Sequence, residues 1–221
     1  MFVLEVVKDN LNNHFYKGCQ LRQPFFIANI FIVSLHLIVI VIKTFFLKSI
    51  LTEQQLNITI KRLAHQVLEN HVDLSNTVLI GLQPRGVFLS DQIVDEIKKE
   101  TAADKIQYGK LDITFYRDDI RKQLHIANRT DIPFSIEGKN VVLIDDVLYT
   151  GRTIRAALDA LLDFGRPEKV ELCVLIDRRF SRQLPIQPDY IGKSIDAIVS
   201  QKVKVFWKTK DGKDEVCLVN D

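Results

Sequence analysis

Two adjacent acids and a nearby turn rich in hydroxyl groups are the residues in this sequence that could bind a sugar phosphate. Asp145 and Asp146 end an apolar run, and the turn Thr-Gly-Arg-Thr follows at 150–153. Neighbouring carboxylates can accept hydrogen bonds from two sugar hydroxyls or hold a hydrated divalent cation. Gly151 lets the backbone close on an anion, and the hydroxyls of Thr150 and Thr153 add donors. The acids therefore predict a ribose site, and the turn predicts a phosphate site.

The residues on either side of these groups predict the elements that position them. Val141–Ile144 is apolar throughout, which suits a parallel strand buried on both faces. The acids would then lie at its carboxyl end, where open α/β sheets bind ligands. A helix is predicted to start within 150–153, because apolar residues recur at helical spacing at Ile154, Leu158, Leu161 and Leu162. Amides at a helix start favour phosphate. The alternative is a buried strand with solvated acids, followed by a helix that Thr150 caps.

A second turn joins the first predicted core strand to its helix, again at the carboxyl end of the sheet. It consists of Gln83, Pro84, Arg85 and Gly86. Gly86 permits a close backbone approach, and the Arg85 guanidinium can bind phosphate oxygens in a bidentate manner. The alternative is an ordinary strand-to-helix turn with a solvated arginine.

One run of thirteen residues resembles the phosphoribosyl pyrophosphate (PRPP) signature of type I phosphoribosyltransferases. It consists of Val141, Val142, Leu143, Ile144, Asp145, Asp146, Val147, Leu148, Tyr149, Thr150, Gly151, Arg152 and Thr153. A wider likeness covers about residues 51–219 and is to the PyrR family, through the segments 82–86, 111–119, 174–178 and 184–193. That family comprises pyrimidine-operon regulators that are also uracil phosphoribosyltransferases. The resemblance implies an α/β fold of the type I phosphoribosyltransferase kind, a parallel sheet flanked by helices with a small hood.

The same resemblance implies a reaction and a ligand set. The chain would make UMP and pyrophosphate from uracil and PRPP with Mg²⁺, and the signature would bind PRPP. Asp145 and Asp146 would reach the metal indirectly, through PRPP and water. Gln83, Pro84, Arg85 and Gly86 would form the pyrophosphate loop. Such transfer needs positive charge around the leaving pyrophosphate and exclusion of water, but no covalent nucleophile.

Two further groups of residues are expected to complete the site. The segment 117–138 is polar and weakly periodic, which predicts a lid or disorder, and the residues expected to reach pyrophosphate after closure are Tyr116, Arg117 and Arg121. Solvated charges are the alternative there. Uracil is expected under the hood near Ile176, Asp177 and Arg178. The alternative for Asp177 and Arg178 is an exposed ion pair.

Leader RNA is a further expected partner, because many PyrR members bind it. The net charge of +2 is too small to indicate a nucleic-acid protein, so an RNA site would have to be a local basic patch. The residues that could form it are Lys61, Arg62, His65, Arg182 and Lys193. Asn57, Ile58 and Gln187 replace residues that are often basic in the family, which weakens this expectation. The alternative functions are an RNA-binding attenuator and a PRPP or nucleotide sensor with little catalysis. The family resemblance also implies a homo-oligomer.

Length and composition predict one domain, 49–221, after an apolar extension at 1–48. With 221 residues, 47% apolar and 26% charged, the chain has no room for a second catalytic domain. Cys19, Cys173 and Cys217 are widely spaced, which argues against a disulfide framework or a zinc cluster. Phe25–Ile42 just reaches the length of a membrane span. Three interpretations of the extension stand: a membrane anchor, a helix packed on the domain, and a spurious translation. The domain is expected in the cytoplasm under each of them.

Periodicity predicts the remaining elements. A helix capped by Thr52 with Gln55 should run to about Asn70, and a strand at 77–81 and a helix at 87–99 should follow. Leu111, Ile113 and Phe115 alternate with polar residues as in a strand, and 170–176 is the next buried strand. Short strands near 189–191, 203–206 and 216–219 are expected to contribute to the hood.

Overall fold

The computed structural model of the chain describes residues 47–72, 74–101, 106–118, 127–196 and 201–220. The apolar run Phe25–Ile42 and the expected lid residue Arg121 lie outside these ranges. Within them, every helix is too short or too polar to cross a membrane.

Eight strands and four helices make up the described part of the chain. In order they are β1 Leu47–Leu51, α1 Glu53–Asn70, β2 Thr77–Leu82, α2 Gly86–Glu100, β3 Gln107–Leu111, β4 Asn140–Leu148, α3 Arg152–Leu161, β5 Lys169–Arg179, β6 Tyr190–Asp196, β7 Gln201–Phe206, α4 Lys208–Asp211 and β8 Glu215–Asn220. The predicted helices and the strands near 77, 141 and 170 are confirmed. The capping box of Thr52 and Gln55 is also present at the start of α1.

The main sheet is parallel, with strand order β3-β2-β4-β5-β6. The connection from β2 leads to β3 on one side, and the next connection leads to β4 on the other side. The strand order therefore reverses between β2 and β4, and ligands bind in the crevice at such a reversal. This confirms the predicted α/β fold and directs attention to the ends of these two strands.

Helices cover both faces of the main sheet, as continuous apolar strands require. In β2, Leu79 belongs to the core cluster that contains α1 and α2, whereas Val78 and Ile80 belong to the cluster that contains α3. The strand alternates between the two layers because successive side chains point to opposite faces. Both cysteines among the described residues, Cys173 and Cys217, are buried and free.

A second, antiparallel sheet of order β1-β8-β7 forms the hood. Two strand assignments differ from the expectation. The strand near 189–191 is β6, which pairs in parallel with β5 in the main sheet rather than joining the hood. The hood instead contains β1, which begins at Leu47, two residues before the predicted start of the domain.

The predicted strand through Phe115 is wrong, because β3 ends at Leu111. The carboxylate of Asp112 accepts hydrogen bonds from the amides of Thr114 and Asn128, both at 2.7 Å. These bonds turn the chain away from the sheet, and Phe115 is 85% exposed. The end of the predicted lid segment also differs, since Ile136 is fully buried in the core cluster around α3.

A buried polar cluster lies at the amino-terminal edge of the main sheet. Glu171 accepts hydrogen bonds from Tyr190 at 2.6 Å and pairs with His71 at 2.7 Å and Lys169 at 2.5 Å. Burial alone would raise the pKa of Glu171, but the hydrogen bonds from Lys169, Tyr190 and His71 outweigh it and lower the pKa to about 2. A carboxyl group with a lowered pKa stabilises the fold above its unfolded value, and this contribution is lost as pH falls.

Glu171→Gln is therefore expected to destabilise the domain at pH 6, by on the order of 2 kcal/mol. The difference from wild type should shrink by more than half at pH 3, because the wild-type stabilisation is lost between about pH 4.5 and the lowered pKa. Urea unfolding of both proteins at the two pH values measures this. Exposed Glu168→Gln, one residue before β5, is the matched control. A difference independent of pH would contradict the assignment.

Candidate functional site

The turn that follows β2 packs closely against the backbone of β4 at Gly86, the first residue of α2. A methyl group built on Gly86 would lie 2.6 Å from the carbonyl oxygen of Ile144 and 3.0 Å from the Cα of Asp145. Only a residue without a side chain fits here. The close approach observed at Gly86 is to the backbone of β4, and it brings the 83–86 turn against the predicted ribose site. The peptide bond between Gln83 and Pro84 in this turn is cis.

The two acids of the signature are buried where β4 ends, with 7% and 8% of Asp145 and Asp146 exposed. Burial raises the pKa of both carboxyl groups, and the neighbouring charge of Asp146 raises that of Asp145 further. Asp146 accepts a 3.1 Å hydrogen bond from Nε of Arg85, which opposes the rise in its own pKa. The charge of Arg117 likewise opposes the rise for Asp145, so the two buried acids lie beside two cations. Perturbed acids in a cleft are typical of functional sites.

The turn after the acids forms one wall of a cavity of about 360 Å³. Gly151 has φ +90°, a conformation that glycine adopts without strain, and helix α3 begins directly after it. Gly151, rather than Thr150, is the N-cap of this helix, and no side chain caps it. The Arg152 amide donates to the Thr150 hydroxyl at 3.4 Å, and the other amides of the first turn have no acceptor within the helix itself. The cavity is lined by Arg117, Asp145, Val147, Leu148, Tyr149, Thr150, Gly151, Arg152, Thr153, Ile154 and Gln183.

The two expected lid residues within the described ranges have different surroundings. Arg117 lines the cavity and donates a 3.2 Å hydrogen bond to the hydroxyl of Thr153. The Tyr116 hydroxyl instead donates to Asp163, which follows α3, and this bond raises the pKa of Tyr116. Arg117 is thus at the 150–153 turn, whereas the Tyr116 hydroxyl is bound outside the cavity.

The residues expected near uracil lie at the carboxyl end of β5. Ile176 is fully buried, and only 7% of Asp177 and 4% of Arg178 are exposed. The alternative of an exposed ion pair between the last two is therefore wrong. Asp177 instead pairs with Arg182, and the Arg178 guanidinium lies 3.9 Å from the centre of the Tyr149 ring. Burial lowers the pKa of Arg178.

The five residues of the expected RNA face do not share one surface environment. Lys61, Arg62 and His65 are exposed on α1, where Arg62 also donates to the carbonyl groups of Ile191 and Gly192. Lys193 is exposed and donates to the Ile50 carbonyl at 2.9 Å. Arg182 differs from these, because its guanidinium is bonded to groups of the signature loop and of β5.

Three features of the site were not predicted from the sequence. The Arg85 guanidinium donates to the carbonyl oxygen of Val205 in β7, which ties the 83–86 turn to the hood. Gln183 lines the cavity beside the 150–153 turn, and Arg182 bonds to the backbone just before that turn. No local pattern marks such contacts, since they join residues distant in the sequence.

Comparison with known proteins identifies the class of fold and the family. The family described as "Phosphoribosyl transferase domain" matches residues 47–209. Among solved structures, a hypoxanthine phosphoribosyltransferase from Staphylococcus aureus superimposes with a TM-score of 0.59 at 20% identity, covering 79% of this chain and 92% of that one. The corresponding enzyme from Trypanosoma cruzi gives 0.58 at 17% identity, covering 78% and 96%. These structures show the fold alone, and with the family match they place the chain among the type I phosphoribosyltransferases.

Closer relatives define the particular family. "Bifunctional protein PyrR" of Picosynechococcus sp. is 48% identical over 171 residues, which cover 77% of this chain and 96% of the relative. The protein of the same name from Elusimicrobium minutum is 46% identical over 169 residues, covering 75% and 93%. The chain belongs to the PyrR family.

Proposed function

We propose that this protein makes UMP and pyrophosphate from uracil and PRPP. The observation that carries the proposal is the convergence of two buried acids, a glycine-started helix and Arg85 on one crevice. Membership of the PyrR family supports the choice of substrates. A sensor without catalysis would need the groups that bind the 5-phosphate and the ribose. It would not need Arg85, whose guanidinium also donates to Val205 in the hood.

The signature binds the phosphoribosyl part of PRPP in this proposal. The amides that start α3 and the hydroxyls of Thr150 and Thr153 hold the 5-phosphate. Asp145 and Asp146 accept hydrogen bonds from the two ribose hydroxyls, so each buried carboxylate gains the partner that its burial demands. Arg117 supplies positive charge beside the phosphate turn.

Mg²⁺ fits the site as an ion that arrives with PRPP. The described residues contain no group of three or more histidine, cysteine or acidic side chains that could hold a metal ion. Magnesium is commonly bound by one or two carboxylates together with substrate phosphates and water, which suits Asp145 and Asp146. When bound, it would neutralise charge on the pyrophosphate.

Arg85 stabilises the charge that grows on the leaving pyrophosphate. Because that charge is largest in the transition state, Arg85→Ala should lower kcat by about 100-fold and change the KM for PRPP much less. Steady-state kinetics with PRPP varied at saturating uracil measures both constants. Arg166→Ala, at an exposed arginine just before β5 at the opposite end of the sheet, is the matched control. A change in KM with intact kcat would identify Arg85 as a residue that binds ground and transition states equally.

Uracil binds where β5 ends beneath the hood, beside Ile176, Asp177 and Arg178. Apolar contact with this segment and hydrogen bonds to its backbone would recognise the base. Closure of the segment that starts at Tyr116 and includes Arg121 would exclude the water that hydrolyses PRPP.

Regulation of pyrimidine genes through leader RNA is the second proposed function. The relatives are named bifunctional, and Lys61, Arg62, His65 and Lys193 are exposed on α1 and β6. We leave Arg182 out of this surface because its guanidinium is bonded internally.

We also propose that the protein is a homo-oligomer in the cytoplasm, in line with the family. Light scattering of the purified protein tests the assembly.

One pair of assays separates enzyme from regulator. Purified protein is incubated with uracil, PRPP and Mg²⁺, and UMP is quantified by chromatography with and without a chelator. Filter binding with pyrimidine leader RNA is measured in parallel across salt concentrations, because phosphate contacts weaken steeply with salt. UMP formation that requires Mg²⁺ supports the enzyme. Salt-dependent RNA binding without UMP formation would favour the attenuator, and PRPP binding with neither would favour a sensor.

A further inference from the structure

Arg182 makes an unusual number of hydrogen bonds to backbone carbonyl groups. Its Nη1 donates to Leu148 at 3.3 Å, to Arg178 at 3.2 Å and also to Tyr149. Its Nε donates to Ile186 at 3.0 Å, and its Nη2 donates to the carboxylate of Asp177. The planar guanidinium offers five donors in a fixed arrangement, so one side chain can hold several acceptors in a set geometry.

These acceptors belong to two parts of the proposed active site. Leu148 and Tyr149 lead directly into the phosphate turn, whereas Asp177 and Arg178 are the residues beside which uracil is proposed to bind. Arg182 therefore joins the end of β4 to the end of β5 at the point where both leave the sheet. The side chain is only 22% exposed, which strengthens its charged hydrogen bonds.

The residues that follow Arg182 continue the support under the same turn. The Gln183 amide donates to the Thr150 carbonyl at 3.0 Å, and its side-chain oxygen accepts from Nε of Arg152 at 2.8 Å. A methyl group on Gly151 would lie 3.2 Å from Ile186, so the turn rests against this segment. The backbone that would bind the 5-phosphate is thus fixed from behind by residues outside the signature.

We propose that Arg182 is a positioning residue that fixes the phosphate turn for the 5-phosphate of PRPP. The assignment rests on the proposed function of that turn. Arg182 itself does not line the phosphate cavity, so it acts through Leu148 and Tyr149 rather than by touching the ligand. A displacement of about 1 Å in such a turn can cost a large factor in binding or rate, because amides aimed at an anion lose their alignment.

Calorimetric titration with ribose 5-phosphate tests this role, since the ligand carries the 5-phosphate but no pyrophosphate or base. Arg182→Met should raise its Kd by about 10- to 100-fold, and Arg182→Lys should restore part of the loss because lysine can still pair with Asp177. Arg179→Met is the matched control. Arg179 lies in the same segment but is exposed and bound to Asp196 at 2.8 Å, so its replacement should leave Kd unchanged.

Thermal unfolding of each variant without ligand accompanies the titrations. Folded variants with weakened binding support the positioning role. Folded variants that bind like wild type would overturn it while leaving the proposed function intact. Failure of both Arg182 variants to fold would also overturn it, because the residue would then be required for the fold itself. A wild-type protein that does not bind ribose 5-phosphate would refute the assigned phosphate site and with it this role of Arg182, whereas the UMP assay tests the proposed function separately.

Discussion

Replacing Asp145 and Asp146 together by asparagine is expected to lower the rate of UMP formation by about 10²- to 10³-fold. The carboxylates accept hydrogen bonds from the ribose hydroxyls, and neutral amides accept them more weakly and present donors in their place. Calorimetry with PRPP should show a matching loss of affinity. Glu168→Gln, an exposed acid at the opposite end of the sheet, is the control. Unchanged PRPP binding by the double variant would mean that the ribose site lies elsewhere.

The single variant Asp145→Asn should at the same time be more stable than wild type. Burial and the charge of Asp146 raise the pKa of Asp145 well above its ordinary value. A carboxyl group with a raised folded pKa stabilises the fold at low pH, and that contribution is lost as pH rises through the folded value. The advantage of the asparagine should therefore be larger at pH 8 than at pH 5. Thermal unfolding at the two pH values measures it, and an advantage that shrinks with rising pH would contradict this sign.

Gly86→Ala is the second substitution with a large expected effect. The added methyl group would lie 2.6 Å from the Ile144 carbonyl oxygen, and that backbone belongs to a buried strand that has little freedom to move. We expect a loss of about 1–3 kcal/mol in the free energy of unfolding and a loss of most activity, because the 83–86 turn must move away from Asp145. Urea unfolding and the UMP assay measure the two effects.

Gly138→Ala separates the steric effect of Gly86→Ala from the general cost of replacing a glycine. Gly138 has φ +66°, so alanine there strains the backbone, but its methyl group would meet nothing within 4 Å. This variant should lose some stability and keep its activity. Full activity in Gly86→Ala would show that the close approach of the two turns is not needed for the reaction.

The elements that carry the chemistry could be predicted because their signals are local. The apolar run 141–144 becomes the buried part of β4, and the capping box at Thr52 starts α1 where expected. The location of the two acids and the Gly151 turn toward the carboxyl end of β4 then follows from the direction of that strand alone. Much of the site is thus encoded in one stretch of the sequence.

The features that were missed depend on pairing between distant segments. Strand β1 is too short to identify before it pairs with β8 at the other end of the chain, and β6 looks like a hood strand until its parallel pairing with β5 is known. The end of β3 depends on which amides the Asp112 carboxylate meets. Arg182 looked like a surface cation because charge alone does not reveal that carbonyl groups surround it.

Measuring kcat/KM for uracil beside hypoxanthine and guanine, with PRPP and Mg²⁺, tests the central claim most directly. The solved structures that share the fold include hypoxanthine enzymes, whereas the sequence relatives belong to the PyrR family, so base preference separates the two likenesses. We predict UMP and pyrophosphate in equal amounts from uracil, with both purines poor substrates. Faster transfer to either purine, or no transfer to any base, would contradict the account.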